Sequence, residues 1–382
     1  MREPVDLRHQ RIVAAVEGRG SARVSDLAAE LRVSVVTMRR DVEELARAGR
    51  LRRGHGVVHS TGAAQQSPGS GTGTGTGTRT GADIDTPDPD GDTVAVVVPE
   101  RHSYLYETLH GARTVLAEAG LRIALHIAPQ TAGAERPLAE RALAAGARGL
   151  LLAPRWRTRD AEEADHGWLA ALEVPAVLME RRPRAGGALH SLDSVCSDHW
   201  YGAHLAVEHL VALGHRRIVF ATRDDSPTAR SLRAAFTEIA GAHPLVEEWA
   251  WALSSPGVGK DGPYTARETA DVPTLLRELG ATAAVLHSDV DALMTVQRLT
   301  ENGVRVPEDC SVVAYDDVLA GLGTIPLTAV APPKAEVGRV AAELLAQRLK
   351  SGRGPGSPVR RVELLPSLTV RGSTRQPIAP QE

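Results

Sequence analysis

From Thr93 onwards the sequence alternates short apolar runs with longer amphipathic stretches. Runs such as TVAVVV (93–98) and GLLL (149–152) are continuous, which is typical of strands that are covered on both faces. The stretches between the runs repeat apolar residues at helical spacing. This alternation predicts parallel β-sheets with helices on both faces. Because roughly ten such units are too many for one sheet, we expect two lobes with a ligand cleft at the carboxyl ends of the strands.

The boundaries of these elements follow from the apolar runs and from the glycines that end several helices. The predicted strands span 93–98, 121–127, 149–152, 175–179, 217–221, 248–253, 283–286, 311–314 and 359–369. The predicted helices span 104–119, 137–145, 161–172, 198–213, 228–239, 265–279, 289–302 and 334–349.

Ahead of this region, residues 25–40 predict two short helices joined by a tight turn. Ser25 and Ser34 stand where the two helices are expected to start, and a serine hydroxyl there can accept a backbone N–H that the helix leaves unpaired. A helix over 7–18 and a small hairpin over 51–60 complete the predicted unit. The positions expected to face inward are apolar: Leu27, Ala28, Leu31, Val35, Met38 and Val42.

The outward face of the second of these helices carries a hydroxyl and two guanidinium groups, and the hairpin after it is basic. Arginine forks match guanine edges and phosphates, and a short helix of this kind fits the major groove. The alternative to DNA binding is an ordinary amphipathic helix pair whose charged face is solvated. The residues predicted to contact DNA are Ser25, Ser34, Val35, Thr37, Arg39, Arg40, Arg52, Arg53 and His55.

Residues 61–92 join the two regions and contain GTGTGTGTRTG and DTPDPDGD but almost nothing to bury. Such a segment cannot offset the entropy of ordering, so it predicts a flexible linker. Its glycines alternate strictly and lack the spacing of a phosphate-binding loop. We therefore predict a DNA-binding head over 1–60, a linker over 61–92, a two-lobed region over 93–374 and a disordered tail over 375–382.

Charge is distributed unevenly along the 382 residues, although the formal net charge is only −3. Residues 31–60 contain seven arginines against three acids, so a basic head precedes an acidic body. The two cysteines, Cys196 and Cys310, form no zinc or disulfide pattern. No metal and no cofactor are predicted. The sequence shows no signal peptide and no apolar run long enough to span a bilayer, so we expect a cytoplasmic protein without a membrane partner.

The head resembles the DeoR-type winged helix-turn-helix from about Arg8 to His59. The resemblance is carried by RHQRIVAAVEG (8–18), the S-x-x-T-x-R-R-D run over 34–41, ELARAGRL (44–51) and the basic segment RRGHG (52–56). It implies an α/β winged helix-turn-helix that binds double-stranded operator DNA. Val57 stands where the family often has a second glycine after His-Gly.

Residues 93–374 resemble the ligand-sensing domain of LacI-family repressors, which shares its fold with periplasmic sugar-binding proteins. The stretches that carry the resemblance are AVEHLVALGHRRIVF (206–220), SPTAR (226–230), GVRVPEDCSVVAYDD (303–317), IPLTAV (325–330) and LPSLTVRGST (365–374). It implies an α/β, two-lobed, periplasmic-binding-protein-like fold and a homodimer. The usual family head is a different helix-turn-helix joined by a short hinge helix.

Side chains at the predicted carboxyl ends of strands are the candidates for ligand contact. Asp316 is the strongest, because a carboxylate can accept two sugar hydroxyls or a base N–H and the resemblance implies this use. Arg181 either faces the cleft or pairs with a surface carboxylate. Trp249 and Trp251 alternate along one predicted strand, so we expect one to face the cleft and the other the core. The full candidate set is Tyr104, Tyr106, Arg181, Arg230, Arg233, Trp249, Ser288 and Asp316.

Several of these assignments leave alternatives open. Tyr104 and Tyr106 can stack on a sugar or base, but one of them can equally belong to the core. The ligand-binding arginine of the LacI family corresponds here to Leu232, which leaves Arg230 and Arg233 as neighbouring candidates. Asp198 and Asp289 are expected to cap helices. For Asp198, a role as a helix cap is favoured over contact with the ligand.

Together these patterns predict a ligand-responsive transcriptional regulator, most simply a repressor of carbohydrate or nucleoside metabolism genes. The effector class implied by the resemblance is a sugar, sugar phosphate or nucleoside. Two other functional classes compete with this one: a solute-binding protein that feeds a transporter, and a sugar-modifying enzyme with an appended regulatory head. The absence of a signal peptide and the basic head argue against the first of these.

Overall fold

The computed structural model describes residues 5–19, 21–31, 33–47, 50–53, 57–60, 92–100, 103–129, 131–184, 186–254, 271–351 and 358–377. The chain divides into two compact units, Met1–Ile84 and Asp85–Glu382, which are called the head and the body below. Residues 61–91 of the predicted linker and residues 378–382 of the predicted tail lie outside the described residues.

The described residues of the head form three helices and a small antiparallel sheet. The helices are α1 (Val5–Arg19), α2 (Val24–Glu30) and α3 (Val35–Arg47), and the strands are β1 (Ser21–Arg23), β2 (Leu51–Arg53) and β3 (Val57–Ser60). The strands lie in the order β1-β3-β2, with both pairs antiparallel. The predicted helix pair and hairpin are therefore confirmed, and β1 adds a third strand to the wing.

The core of the head is built from the inward positions that the sequence predicts. Leu27 of α2 and Met38 of α3 are fully buried against Ile12 of α1. Ser34 caps α3, since its Oγ accepts the backbone N–H of Thr37 at 3.1 Å. The predicted cap at Ser25 is wrong, because α2 already begins at Val24 and Ser25 lies inside its first turn.

The body contains two six-stranded sheets, one in each lobe. In the first lobe the strands are β4 (Thr93–Pro99), β5 (Arg122–Ala128), β6 (Gly149–Leu152), β7 (Ala176–Met179), β8 (Asp193–Ser197) and β14 (Arg361–Leu364). In the second lobe they are β9 (Arg217–Thr222), β10 (Glu248–Leu253), β11 (Ala283–His287), β12 (Ser311–Tyr315), β13 (Thr328–Ala331) and β15 (Ser367–Thr369).

Both sheets are dominated by parallel pairs, as predicted. The first sheet runs β14-β8-β7-β6-β4-β5 and is parallel throughout. The second runs β10-β9-β11-β12-β13-β15 and is parallel except at its β13–β15 edge. Between the lobes the chain crosses near residues 198, 332 and 366.

Helices cover both faces of each sheet. The helices of the first lobe are α4 (Ser103–Glu118), α5 (Glu135–Ala144), α6 (Arg159–Ala170) and α11 (Lys334–Ser351). Those of the second lobe are α7 (His199–Ala212), α8 (Pro227–Ala242), α9 (Val272–Leu279) and α10 (Asp289–Glu301). Along β4, Val94, Val96 and Val98 pack towards α4 and α11, whereas Ala95 and Val97 pack towards α5 and α6. This two-sided burial is why the run is continuously apolar.

Two strands of the body were not predicted from the sequence. Strand β8 was not predicted because its sequence, DSVCS, is largely polar. All five residues are buried, and the Asp193 carboxylate accepts two bonds from Arg348 at 2.7 and 2.9 Å. Strand β13 is only four residues long and follows shortly after Pro326. The helix predicted over 265–279 is described only from Val272, since residues 255–270 lie outside the described residues.

The C-terminal boundary also differs from the prediction. Arg375 was assigned to a disordered tail, but its backbone N–H donates to Ser311 Oγ at 3.0 Å. Its carbonyl oxygen accepts from Ser311 Oγ at 3.1 Å and lies 3.0 Å from His215 Nε2. The ordered body therefore continues past residue 374. Among the described helices, none combines the length and the apolar character that crossing a membrane would require.

Candidate ligand cleft and DNA-binding face

A cavity of about 690 Å³ lies between the two lobes of the body. Its walls come from the carboxyl ends of β4, β6 and β7 in the first lobe and of β9, β11 and β12 in the second, which is where ligands bind in sheets of this kind. Among the candidate ligand residues whose side chains the structure describes, three line it: Arg181, Ser288 and Asp316. Its apolar lining includes Leu105 and Met294.

Asp316 follows β12 in a left-handed conformation with φ of 105°. Burial raises the pKa of its carboxyl well above the ordinary value, and the nearby Asp289 raises it further, while the Lys334 ammonium acts in the opposite direction. A carboxyl that keeps its proton can donate a hydrogen bond as well as accept one. His287 lies beside it, with Nε2 4.0 Å from Asp316 Oδ2 and Nδ1 3.0 Å from Thr222 Oγ1.

Asp289 holds the loop that carries Asp316. Its buried carboxylate accepts backbone N–H groups from Asp317 at 3.2 Å and from Leu319 at 2.8 Å. The expectation that Asp289 caps its own helix is therefore wrong, because the cap position of α10 is Ser288. Asp198, in contrast, does cap α7, with Oδ1 2.9 Å from the backbone nitrogen of Tyr201.

Arg181 lies in the wall of the cleft and is buried, so the surface ion pair that the sequence left open is excluded. Its guanidinium donates to the carbonyl oxygens of Pro154, of Glu180 at 2.7 Å and of Ala153 at 3.3 Å. Its hydrogen bonds therefore link the ends of β6 and β7. Arg223 is held in a similar way, because its Nε lies 2.8 Å from Asp291 Oδ2.

Arg155, Arg157 and Arg230 join the two lobes and are called the interlobe bridge below. Arg155 donates to Asp225 Oδ2 at 3.1 Å, and Arg157 donates to the carbonyl oxygen of Asp224 at 3.0 Å. Arg230 reaches back from α8 to the carbonyl oxygens of Trp156 and of Arg157, the latter at 2.7 Å. Hydrogen bonds donated by arginines of both lobes therefore join the two lobes in this structure.

The other candidates lie elsewhere. Arg233 is not among the described lining of the cleft; it pairs with Asp224 Oδ1 at 3.2 Å and stands over the Trp251 ring at 4.9 Å. Trp249 packs edge-on against Phe236. Both tryptophans pack on one side of β10 against the same cluster, so the expected split between cleft and core is wrong: positions two apart on a strand share a face.

Of the two tyrosines, Tyr106 is 77% exposed and is therefore not a core residue. The side chain of Tyr104 lies outside the described residues.

A buried polar group at the floor of the cleft was missed by the sequence analysis. Glu180 follows β7 and accepts hydrogen bonds from the backbone and hydroxyl of Ser197 at 3.1 and 2.9 Å. His199 lies with Nε2 3.5 Å from Glu180 and Nδ1 3.0 Å from the hydroxyl of Tyr315. Glu180 follows a predicted strand, but Ser197 ends β8 and His199 follows it, and β8 was not predicted, so no pattern in the sequence indicated that these side chains meet.

The DNA-binding face of the head is partly described. Arg40 is exposed on α3, and Thr37 Oγ1 lies 2.8 Å from Ser34 Oγ at the start of that helix. The side chains of Ser25, Val35, Arg39, Arg52 and Arg53, and all of His55, lie outside the described residues.

A buried ion pair behind this face ties α3 to α1. The Asp41 carboxylate accepts Arg8 Nε at 2.6 Å and Nη2 at 3.1 Å. Burial raises the pKa of Asp41, but Arg8 and His9 lower it by more, so it lies below the ordinary value. Among the described residues, no group of three or more His, Cys, Asp or Glu side chains is arranged to hold a metal ion.

Two family models match the chain. A DeoR-like helix-turn-helix domain matches residues 8–62, and a periplasmic binding protein-like domain matches residues 207–374. The HTH-type transcriptional repressor PurR of Haemophilus influenzae (strain PittEE) is 30% identical over 205 residues, 53% of this chain and 58% of that repressor. The chain thus spans little more than half the length of this relative.

Two further similarities are longer. The arabinose metabolism transcriptional repressor of Geobacillus stearothermophilus is 28% identical over 293 residues, 74% of this chain and 77% of that protein. The structure of the lac repressor dimer bound to operator and an anti-inducer matches the fold with a TM-score of 0.59 at 22% identity, covering 75% of this chain and 95% of that one. The chain therefore carries a segment similar to DeoR-like helix-turn-helix domains and a two-lobed body with the fold of periplasmic-binding-protein-like domains.

Proposed function

We propose that this chain is a transcriptional regulator, most simply a repressor, whose binding to operator DNA changes when a small molecule occupies the cleft of the body. The observation that carries the proposal is the presence, on one chain, of a DeoR-like head and a cavity of about 690 Å³ lined by both lobes. Two curated relatives of this chain are named as transcriptional repressors.

The lining of the cleft favours a hydroxylated ligand from the class of sugars, sugar phosphates and nucleosides. Asp316, His287 and Ser288 present hydrogen-bonding groups, while Leu105 and Met294 provide apolar surface for C–H groups or a base. The arginines of the lining already hold protein oxygens, as Arg155 and Arg223 show. The genes controlled would accordingly serve carbohydrate or nucleoside metabolism.

The ligand acts in this proposal by shifting the balance between arrangements of the lobes. It can do so only if it binds one arrangement better than another, and a ligand held by residues of both lobes favours the closed one. Two heads in a homodimer would present two α3 helices to operator half-sites. We further propose that residues 61–92 link head to body and that the protein acts in the cytoplasm and has no enzymatic activity.

The proposal is tested by measuring the affinity of the full chain for DNA from upstream of its own gene and of neighbouring operons. We expect tight binding that weakens steeply with salt, because arginine–phosphate contacts release counterions. Arg40→Gln should weaken binding, whereas Arg113→Gln, an exposed arginine on α4 of the body, should not. Equal affinity of the Arg40→Gln variant and the intact chain for every such fragment would contradict a role of this helix in DNA recognition.

A further inference from the structure

The positive charges in the lining of the cleft are already engaged by the protein. Among the described residues, three arginines line the cleft: Arg155, Arg181 and Arg223. Arg155 Nη2 lies 3.1 Å from Asp225 Oδ2. Arg223 Nε lies 3.0 and 2.8 Å from the two carboxylate oxygens of Asp291. Arg181 donates to backbone carbonyl oxygens from all three of its guanidinium nitrogens. A charged phosphate in the cleft would therefore compete with protein oxygens for each of these groups.

The helix that begins at the cleft does not favour an anion either. Ser288 and Val290, at the start of α10, line the cleft. The N-terminal end of a helix carries a partial positive charge, but the first turn of α10 contains two buried acidic side chains, Asp289 and Asp291. Because these side chains already balance the helix end, an anion gains little from it.

His287 presents a hydrogen-bond acceptor to the cleft. The hydroxyl of Thr222 donates to the carbonyl oxygen of Arg223 at 3.3 Å, and its oxygen lies 3.0 Å from His287 Nδ1. A hydroxyl has only one proton to donate, so Nδ1 is the donor in the second bond and Nε2 of the neutral ring is an acceptor. The ring packs edge-on against Tyr315, with centroids 5.7 Å apart, which fixes its orientation.

The nitrogen Nε2 of His287 and the oxygen Oδ2 of Asp316 are 4.0 Å apart, which is too far for a direct hydrogen bond. Both residues line the cleft, and one oxygen atom about 2.8 Å from each of them fits between them. Burial raises the pKa of Asp316, so its carboxyl favours the protonated form and can donate, whereas His287 Nε2 accepts. A hydroxyl group matches this pair because it accepts and donates at once, whereas a carbonyl or ether oxygen has no proton for Nε2.

We propose that His287 and Asp316 hold one hydroxyl group of an uncharged ligand between them. The hydroxyl donates to His287 Nε2 and accepts from Asp316, and the cleft selects an unphosphorylated sugar or nucleoside over its phosphorylated form. The inference rests on the proposed function for one point, namely that an effector occupies the cleft. It narrows the class of effector and makes His287 a residue that determines specificity.

The first measurement compares uncharged probes with their phosphates, using the full chain at constant ionic strength. D-Ribose, D-glucose and adenosine are titrated beside ribose 5-phosphate, glucose 6-phosphate and adenosine monophosphate by calorimetry. We expect saturable binding of at least one uncharged probe. Its affinity should exceed that of its phosphate at least about tenfold, because burying a charge without a dedicated partner is costly.

The second measurement locates the hydroxyl group. Each monodeoxy analogue of the probe that binds is titrated into the intact chain and into His287→Phe, which keeps a ring against Tyr315. We expect one analogue to bind the intact chain about tenfold more weakly than the parent probe. His287→Phe should lose about the same factor for the parent probe but little for that analogue, because the same hydrogen bond is already missing.

Two further variants separate recognition of the hydroxyl from a structural role of the ring. His287→Gln carries an amide oxygen that can accept, so it should recover part of the affinity for the parent probe, and it serves alone if His287→Phe fails to fold. His110→Phe is the matched control, since it removes an exposed imidazole of α4 that is not part of the described lining, and it should leave all affinities unchanged.

Three results would overturn the proposal: no saturable binding of any uncharged probe, a phosphate that binds as tightly as its parent, or equal losses for every analogue in the His287 variants. None of these measurements uses DNA. A chain that showed the expected selectivity but bound no operator would contradict the proposed function and leave this inference intact.

Discussion

The head and the cleft are built in opposite ways. The head closes its core with apolar residues that lie within some fifty positions of one another, and an ion pair between Arg8 and the buried Asp41 joins α1 to α3. The cleft gathers side chains from strand ends between Pro99 and Asp316, and its walls are held by arginines bonded to carboxylates and carbonyl oxygens. The difference indicates a rigid unit for presenting a helix and a polar, adjustable unit for closing on a ligand.

Asp41→Ala should have the largest effect, and only on the head. It removes the carboxylate that accepts two hydrogen bonds from the partly buried Arg8, which costs about 3 kcal/mol at most, so operator affinity should fall sharply while ligand binding in the cleft persists. Glu30→Ala is the matched control, because the Arg19–Glu30 pair is exposed and solvent screens it, so its loss should change stability far less. Operator binding and calorimetric unfolding of both variants check this. Equal losses in the two variants would show that the ion pair does not position α3.

Asp316→Ala should have the next largest effect, and only on the cleft. Losing a hydrogen bond between a polar ligand and this carboxyl costs about 2 kcal/mol, or roughly a thirtyfold loss of affinity. Operator binding without ligand should stay the same. Isothermal titration with whichever sugar or nucleoside raises the unfolding temperature measures the first quantity. Undiminished ligand affinity would remove Asp316 from the site.

Arg230→Gln and Arg233→Gln form a matched pair on α8. Arg230 bonds across to the first lobe, whereas Arg233 bonds to Asp224 of its own lobe. We expect the first substitution to weaken cleft-ligand binding by about 1 kcal/mol, since closure loses bonds to two carbonyl oxygens, and the second to have a smaller effect. Ligand titrations of the two variants provide the comparison. A larger effect of Arg233→Gln would contradict the role of the interlobe bridge.

The smallest effect expected is a difference in pH dependence between the two units. The pKa of Asp41 is lowered in the folded head, so its contribution to stability is present above the ordinary value of 3.8 and is lost as the pH falls through the folded pKa. The pKa of Asp316 is raised, so its contribution is present below 3.8 and is lost as the pH rises through its higher folded pKa. Asp41→Asn and Asp316→Asn should change the slopes of stability against pH in opposite directions, which unfolding titrations between pH 3 and neutrality would detect.

The same contrast explains what the sequence could predict. In the head, inward positions such as Leu27 and Met38, the cap at Ser34 and the hairpin all depend on neighbours in the chain, so local patterns sufficed. In the body, the apolar runs predicted most strands and the position of the cleft. The roles of Glu180, His199 and Arg230 could not be predicted, because each depends on partners between 17 and 116 positions away.

A polar strand is equally hard to predict from local sequence. Asp193 of β8 is held by Arg348 of α11 and by the backbone N–H of Arg360, and no window of sequence around β8 contains either partner. Trp249 and Trp251 share a face of β10 because they are two residues apart, so both pack against the same cluster.

The most direct measurement of the central claim is the affinity of the full chain for its operator with and without a saturating cleft ligand, in the wild type and in Asp316→Ala. Fluorescence anisotropy of a labelled operator provides the readout. The account predicts that the ligand changes the wild-type affinity by a factor of about 5 to 150, the usual range of coupling between two sites, and that the same ligand concentration has far less effect on the variant. Tight ligand binding with no change in operator affinity would contradict it.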